Sequence, residues 1–114
     1  MITPLLLLAL AAPAHSAGPP PNPNVQRQAL THCYTETLAT DLHAHVAVDA
    51  FKAKLDTLCK PEAEAFRQAS VHSDVAVGIK TSAAQDNAAS ELKDIVEMQF
   101  ERYKSYFETN TTPR

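Results

Sequence analysis

The chain has 114 residues and a formal net charge of −3 at pH 7, from 10 Lys and Arg against 13 Asp and Glu. Its basic residues are scattered singly, which argues against a nucleic-acid partner, because a phosphate-binding surface needs clustered Lys and Arg. The chain contains only two glycines and two cysteines. Two glycines are too few to build a glycine-rich phosphate loop or a nucleophile elbow.

The N-terminal segment has the pattern of a secretory signal. Residues 5–12 are an apolar core that is too short for a bilayer span of about 20 residues. Cleavage after Ala17 would remove 1–17 as a signal peptide. An uncleaved N-terminal helix is the alternative, because no Lys or Arg precedes the apolar core. We therefore expect an exported protein, periplasmic or secreted, without stable membrane insertion after cleavage.

Proline separates this segment from the rest of the chain. Four of the seven residues in 18–24 are proline, so this stretch is expected to be an extended, non-helical linker. Asn22 or Asn24 can then cap the first helix. Residues 25–109 are enough for a single helical domain. The polar residues 110–114 are predicted to be a disordered tail.

Cys33 and Cys59 predict a helical hairpin. In an oxidising compartment they should form one disulfide. Residues 25–60 contain neither Gly nor Pro, yet one straight helix would separate the cysteines by about 39 Å at 1.5 Å per residue. Bonded cysteines have Cα atoms about 5.5–6 Å apart. The chain must therefore reverse, and arms of equal length place the turn around 43–47, where Asp41 can act as a cap.

The spacing of apolar residues and the helix start and stop residues predict where the helices lie. Pro61 marks a helix restart, Gly78 ends that helix, and Ser82 with Gln85 has the spacing of a capping box for the last helix. The pattern predicts an all-α fold, a small three- to four-helix bundle with a disulfide-clamped antiparallel helical hairpin. The stripes on the hairpin are Leu30, Cys33, Tyr34, Leu38 and Leu42 on the first arm, and Val48, Phe51, Leu55, Leu58 and Cys59 on the second.

The first half of the chain resembles a group of small exported bacterial proteins. The residues that carry the resemblance are Cys33-Tyr34, the 26-residue step to Leu58-Cys59, Ala50-Phe51, and the following Glu62, Ala65 and Phe66. They resemble exported helical-hairpin proteins with one cysteine pair and no assigned function, over residues 25–70. The resemblance implies a disulfide-clamped hairpin and supplies no catalytic residue.

A histidine pair beside a carboxylate is the candidate metal site. Asp41, His43 and His45 alternate around the expected turn, and two imidazoles with a carboxylate can bind a transition metal where the backbone is extended. On a regular helix, a two-residue spacing would turn the imidazoles about 200° apart. The alternative is therefore a pair of solvated turn histidines, and no cofactor is expected.

Four aromatic residues near the C-terminus are the candidate partner-binding surface. Phe100, Tyr103, Tyr106 and Phe107 fall within eight residues, more than one helical stripe accommodates. Exposure as a partner-binding patch, packing in the core and membrane-surface binding are the three interpretations. Acidic neighbours weaken the last of these.

These observations favour a protein without catalysis. Three slender helices rarely enclose a cleft that positions an acid, a base or a nucleophile. The leading hypothesis is a small exported helical protein that acts through contacts with an unknown protein partner, in envelope maintenance or stress. The alternative is a periplasmic metal-binding protein that uses the Asp41, His43 and His45 turn, and enzyme activity ranks third.

Overall fold

The computed structural model describes residues 22–113, which form four helices and no strand. They are α1 (Pro23–His43), α2 (Val48–Leu55), α3 (Lys60–Ala76) and α4 (Thr81–Thr109). The predicted all-α fold, a small helical bundle, is confirmed. The predicted signal peptide lies outside the described residues. None of the four helices is both long and apolar enough to cross a bilayer.

The first helix begins earlier than the prolines suggest. Asn22 is the N-cap, and its side chain accepts a hydrogen bond from the backbone N–H of Asn24 at 3.0 Å. Pro23 occupies the start of the helix, where its missing N–H costs nothing because that group would have no intrahelical partner. The expectation that 18–24 is wholly non-helical is therefore wrong at Pro23 and Asn24.

The chain reverses between α1 and α2, where the cysteine spacing predicted a turn. His45 adopts a left-handed conformation with φ 53°, and its N–H donates to the carbonyl of Leu42 at 3.1 Å. The sequence predicts that Asp41 caps a helix, and this prediction is wrong, because its side chain caps neither α1 nor α2. It is buried, and its carboxylate accepts a hydrogen bond from Lys54 Nζ at 2.8 Å, which joins α1 to α2.

A disulfide joins Cys33 to Cys59, with Cα atoms 6.0 Å apart. The second arm of the hairpin is broken, because α2 ends at Leu55 and α3 begins at Lys60. Cys59 lies in this break, in a left-handed conformation with φ 58°, immediately before α3. The helix restart predicted at Pro61 is confirmed.

The helices enclose one apolar core. α1 packs on α3 and α4, α3 also packs on α4, and α2 packs on α4. Arg27 links three helices, since its Nε donates to Glu91 at 2.9 Å while its guanidinium lies 5.2 Å from the centre of the Phe66 ring. The predicted stripes supply most of the core, which consists of Leu30, Tyr34, Leu38, Leu42, Phe51, Leu55, Cys59, Phe66, Ile95 and Tyr103.

The ends of α3 and α4 differ in part from the prediction. Gly78 has φ 96° and terminates α3, as expected. The capping box does not form, because α4 already begins at Thr81 and Lys80 occupies the cap position without a side-chain hydrogen bond. Asn110 ends α4 in a left-handed conformation with φ 53°. The part of the predicted tail that is described, residues 111–113, is not helical.

Candidate functional site

The break between α2 and α3 leaves one side of α4 partly uncovered. Leu92, Val96 and Phe100 recur every four residues along this side and are only half-buried. Opposite them lie Leu55 and Leu58, from the end of α2 and the break. Together these five residues form the floor of a surface depression, which we call the α4 groove.

Two adjoining cavities make up the α4 groove. The Leu92 cavity, of about 290 Å³, also contacts Tyr34 and Leu58. The Phe100 cavity, of about 360 Å³, extends toward the C-terminal half of α4. Leu55 and Val96 line both, so the two cavities meet over these apolar side chains.

The width of the apolar stripe on α4 explains why the groove exists. One edge of the stripe is buried and includes Ile95, Gln99 and Tyr103. The other edge, with Leu92 and Val96, would need a continuous helix opposite it to be covered. The second arm instead stops at Leu55 and restarts after the disulfide, so this edge remains accessible.

The charges around the groove are unevenly distributed. Lys60 lines only the Leu92 cavity, whereas Glu97 and Glu101 line only the Phe100 cavity. Asp56 and Lys93 border both. Within residues 22–113, none of these five side chains takes part in a salt bridge. The Leu92 end is therefore the more basic end, and the Phe100 end is the more acidic.

Lys52 adds a positive charge at the acidic end of the groove. Its Nζ lies 4.8 Å from the centre of the Phe100 ring, in a cation–π contact. This contact holds the ammonium over the aromatic face. Lys52 keeps its positive charge in this contact and lines the same cavity, so it offsets one of the two carboxylates, Glu97 and Glu101, at this end.

Tyr34 adds a neutral phenol to the lining of the groove at its basic end. It is almost completely buried and lines the Leu92 cavity. Burial raises the pKa of its phenol above the ordinary value, and the carboxylates of Asp56 and then Glu62 raise it further. The phenol therefore stays protonated at physiological pH.

One cluster of potential metal ligands occurs within residues 22–113. It comprises Cys33, Cys59 and Glu62, whose ligand atoms lie within 4.8 Å of one another. Both sulfur atoms are already joined in the disulfide. Cysteine binds a metal as the thiolate, which a disulfide does not provide, so this oxidised cluster is a structural bond beside a carboxylate.

The predicted metal residues are only partly brought together. His43 and His45 line a cavity of about 220 Å³ between the α1–α2 turn and the end of α4. Asp41 does not line this cavity and is bound to Lys54. The three side chains form no common ligand cluster in the described part of the chain.

The predicted aromatic patch is divided between core and surface. Tyr103 is fully buried and stacks on Phe51 with ring centres 3.9 Å apart, which removes it from the patch. Phe100 and Tyr106 are half-buried, and Phe107 is 38% exposed. Only Phe100 lines the α4 groove.

The four-residue spacing of Leu92 and Val96 predicts that both lie on the apolar face of the last helix, but it does not show that they are accessible. Their accessibility depends on the break at 56–59. Pro61 predicts an interruption near this point, but no Gly or Pro within 56–59 marks where α2 ends. Comparison of the chain with protein-family models, curated proteins and solved structures finds no match. Function is therefore inferred from the geometry of this chain alone.

Proposed function

We propose that this is a small exported helical protein that acts without catalysis, through protein–protein contacts at the α4 groove, in envelope maintenance or stress. The single observation that carries the proposal is the apolar floor from Leu92 to Phe100, bordered by charged side chains. Accessible apolar surface rimmed by polar residues is typical of interaction sites. The disulfide is consistent with export, because such bonds persist in oxidising compartments.

The form of the groove favours a macromolecular partner over a small ligand. Both cavities are open to solvent along one side. Small-molecule sites usually bury 70–90% or more of their ligand. An elongated, open groove instead offers a contact surface to an extended element of a partner.

Site-specific photo-crosslinking in the native compartment tests this proposal. A photo-reactive phenylalanine analogue replaces Val96 in the groove, and the matched control carries it at Met98. Met98 is 51% exposed and, two residues along α4, points to a different side of the helix. We expect a discrete crosslinked protein from position 96 only. Equal crosslinking at both positions, or none at position 96, would contradict a groove-specific contact.

A second candidate function is metal binding at the α1–α2 turn. One observation favours it, namely that His43 and His45 line the same cavity. Titration of zinc, copper and nickel into the mature protein tests it. Stoichiometric binding lost in His43→Ala and His45→Ala, but kept in His32→Ala, would support a metal site. His32 is a suitable control because it is exposed on α1 and pairs with Glu36.

A further inference from the structure

We propose that the occupant of the α4 groove is an amphipathic helix of a partner protein, with an acidic residue at one end of its apolar stripe and a basic residue about two turns away. This inference rests on the proposed function, since it names the chemistry of the partner at the same surface. The acidic residue lies at the Leu92 end and the basic residue at the Phe100 end.

The length and shape of the groove fit a helix. From Leu92 to Phe100, α4 advances by about 12 Å, or slightly more than two helical turns. A helix lying beside α4 presents apolar side chains at i, i+4 and i+7 over the same length. These side chains can fill the two adjoining cavities in sequence. The occupant takes the place of the helix that is missing opposite α4, where the second arm is interrupted between Leu55 and Lys60.

The charges at the rim specify the order of charges along the occupant. Lys60 borders only the Leu92 cavity, whereas Lys93 and Asp56 border both cavities, and none of the three forms a salt bridge within the described chain. Glu97 and Glu101 border the Phe100 cavity and are also without a salt-bridge partner there. A helix with charges of the opposite order is complementary at both ends, whereas a helix of one sign is repelled at one end. Such complementarity sets partner choice and register.

Three fluorescent helical peptides with identical Leu and Phe stripes test the proposal. The first carries Glu and Lys eight residues apart, beside the stripe, the second carries Glu at both positions, and the third carries Lys at both. Binding to the mature protein is measured by fluorescence anisotropy at low and moderate salt. We expect the Glu/Lys peptide to bind roughly tenfold more tightly than either of the others.

This order cannot arise from overall charge. The protein is acidic, so nonspecific attraction would favour the Lys/Lys peptide and would change steadily with peptide charge. The Glu/Lys peptide has the intermediate charge. Tightest binding by the intermediate peptide therefore reports the arrangement of charges along the groove.

Charge reversal in the protein provides the reciprocal test. The double variant Lys60→Glu with Lys93→Glu leaves Lys52 as the remaining lysine that lines the groove, so both ends become net acidic and the preference should move to the Lys/Lys peptide. The matched control, Lys80→Glu with Lys104→Glu, changes the net charge equally at exposed positions outside the groove and should keep the original preference. Circular dichroism melts confirm that both variants fold, and the peptide series on the unaltered protein is independent of them.

Two results would overturn the inference. Equal affinity for all three peptides would show that the groove does not distinguish charge order. Failure of every peptide to bind at high micromolar concentration would exclude a helical occupant. Either result leaves the photo-crosslinking at Val96 to decide separately whether the groove contacts a protein.

Discussion

At the scale of single residues, Cys59 combines a disulfide with a conformation that suits glycine. Its φ of 58° lies in the left-handed region, which costs a residue with a Cβ roughly 1–2 kcal/mol. The bond to Cys33 holds the residue there, at the start of α3. The position therefore has two requirements, a crosslink and a left-handed backbone, which substitutions can separate.

We predict that, in the absence of the disulfide, Gly is better than Ala at position 59. The variant Cys33→Ala with Cys59→Gly should be more stable than Cys33→Ala with Cys59→Ala by about 1 kcal/mol, since Gly adopts the left-handed conformation without strain. Urea denaturation of the two double variants measures the difference. A more stable alanine variant would show that the break rearranges once the bond is lost.

Tyr103 fixes the α1–α2 turn from the far end of α4. Its hydroxyl donates a hydrogen bond to the backbone carbonyl of Val46, and its ring stacks on Phe51. Tyr103→Phe retains the stacking and leaves the carbonyl without this donor, so unfolding free energy should fall by about 1–2 kcal/mol. Tyr106→Phe, at a half-buried neighbour on α4, is the control and should change it by less than half as much. Chemical denaturation of the two variants provides the comparison.

At the scale of the elements, local chemistry accounts for most boundaries but not for the end of α2. The α1–α2 turn follows from the cysteine spacing, and Pro61 and Gly78 mark the restart and end of α3. Pro61 disfavours a helix through the residues just before it, but no Gly or Pro explains why α2 ends as early as Leu55. The disulfide adds a tertiary constraint, because it holds Cys59 beside α1.

The candidate site was predictable only in part for the same reason. The four-residue spacing of Leu92, Val96 and Phe100 identifies an apolar edge of the last helix from sequence alone. Whether that edge is covered depends on the path of a different segment. Asp41 illustrates the same limit, because its partner Lys54 is brought close only once the chain has reversed.

The short helix α2 depends on a charge pair for its position. Asp41 is buried on α1, and Lys54 on α2 is its partner at 2.8 Å. Lys54→Met should lower the unfolding free energy by about 1–3 kcal/mol, because the Asp41 carboxylate then loses its charged donor. Adding Asp41→Leu should recover part of this loss. Thermal denaturation of the double-mutant cycle tests the pair, and strictly additive effects would contradict direct coupling.

At the scale of the whole molecule, two buried phenols predict a loss of stability at high pH. Burial raises the pKa of Tyr34, with Asp56 and Glu62 adding to it, and burial also raises the pKa of Tyr103, with Asp41 adding to it. A raised pKa in the folded state means that folding favours the protonated phenol. The stability contribution is complete below about pH 10, the ordinary tyrosine pKa, and is lost as pH rises through the folded-state values.

Urea midpoints measured between pH 8 and pH 11.5 should therefore fall above pH 10. Tyr34→Phe should make this fall shallower, because one ionising group is removed. The half-buried Tyr106→Phe serves as the control for loss of a hydroxyl. An unchanged slope in Tyr34→Phe would show that its ionisation is not linked to unfolding.

The disulfide limits the unfolded chain and, in the folded chain, ties Cys59 in the break beside the α4 groove to α1. It closes a loop across a separation of 26 residues. In the chain-entropy model, such a bond contributes roughly 3–4 kcal/mol, mainly by restricting the unfolded state. The helices themselves are specified by apolar stripes in which Cys33 and Cys59 are only two of the members. Reduction should therefore lower the denaturant midpoint while retaining most helical circular dichroism at 25 °C.

Reduction should also weaken binding of the Glu/Lys peptide by several fold. The break between Leu55 and Lys60 is then no longer tied to α1, so the floor of the groove becomes less ordered. Anisotropy titrations with and without reductant, on samples whose thiol content is measured, provide the test. Unchanged peptide affinity in fully reduced, folded protein would show that helix packing alone shapes the groove. Equal denaturant midpoints for the two forms would contradict the clamping role of the bond.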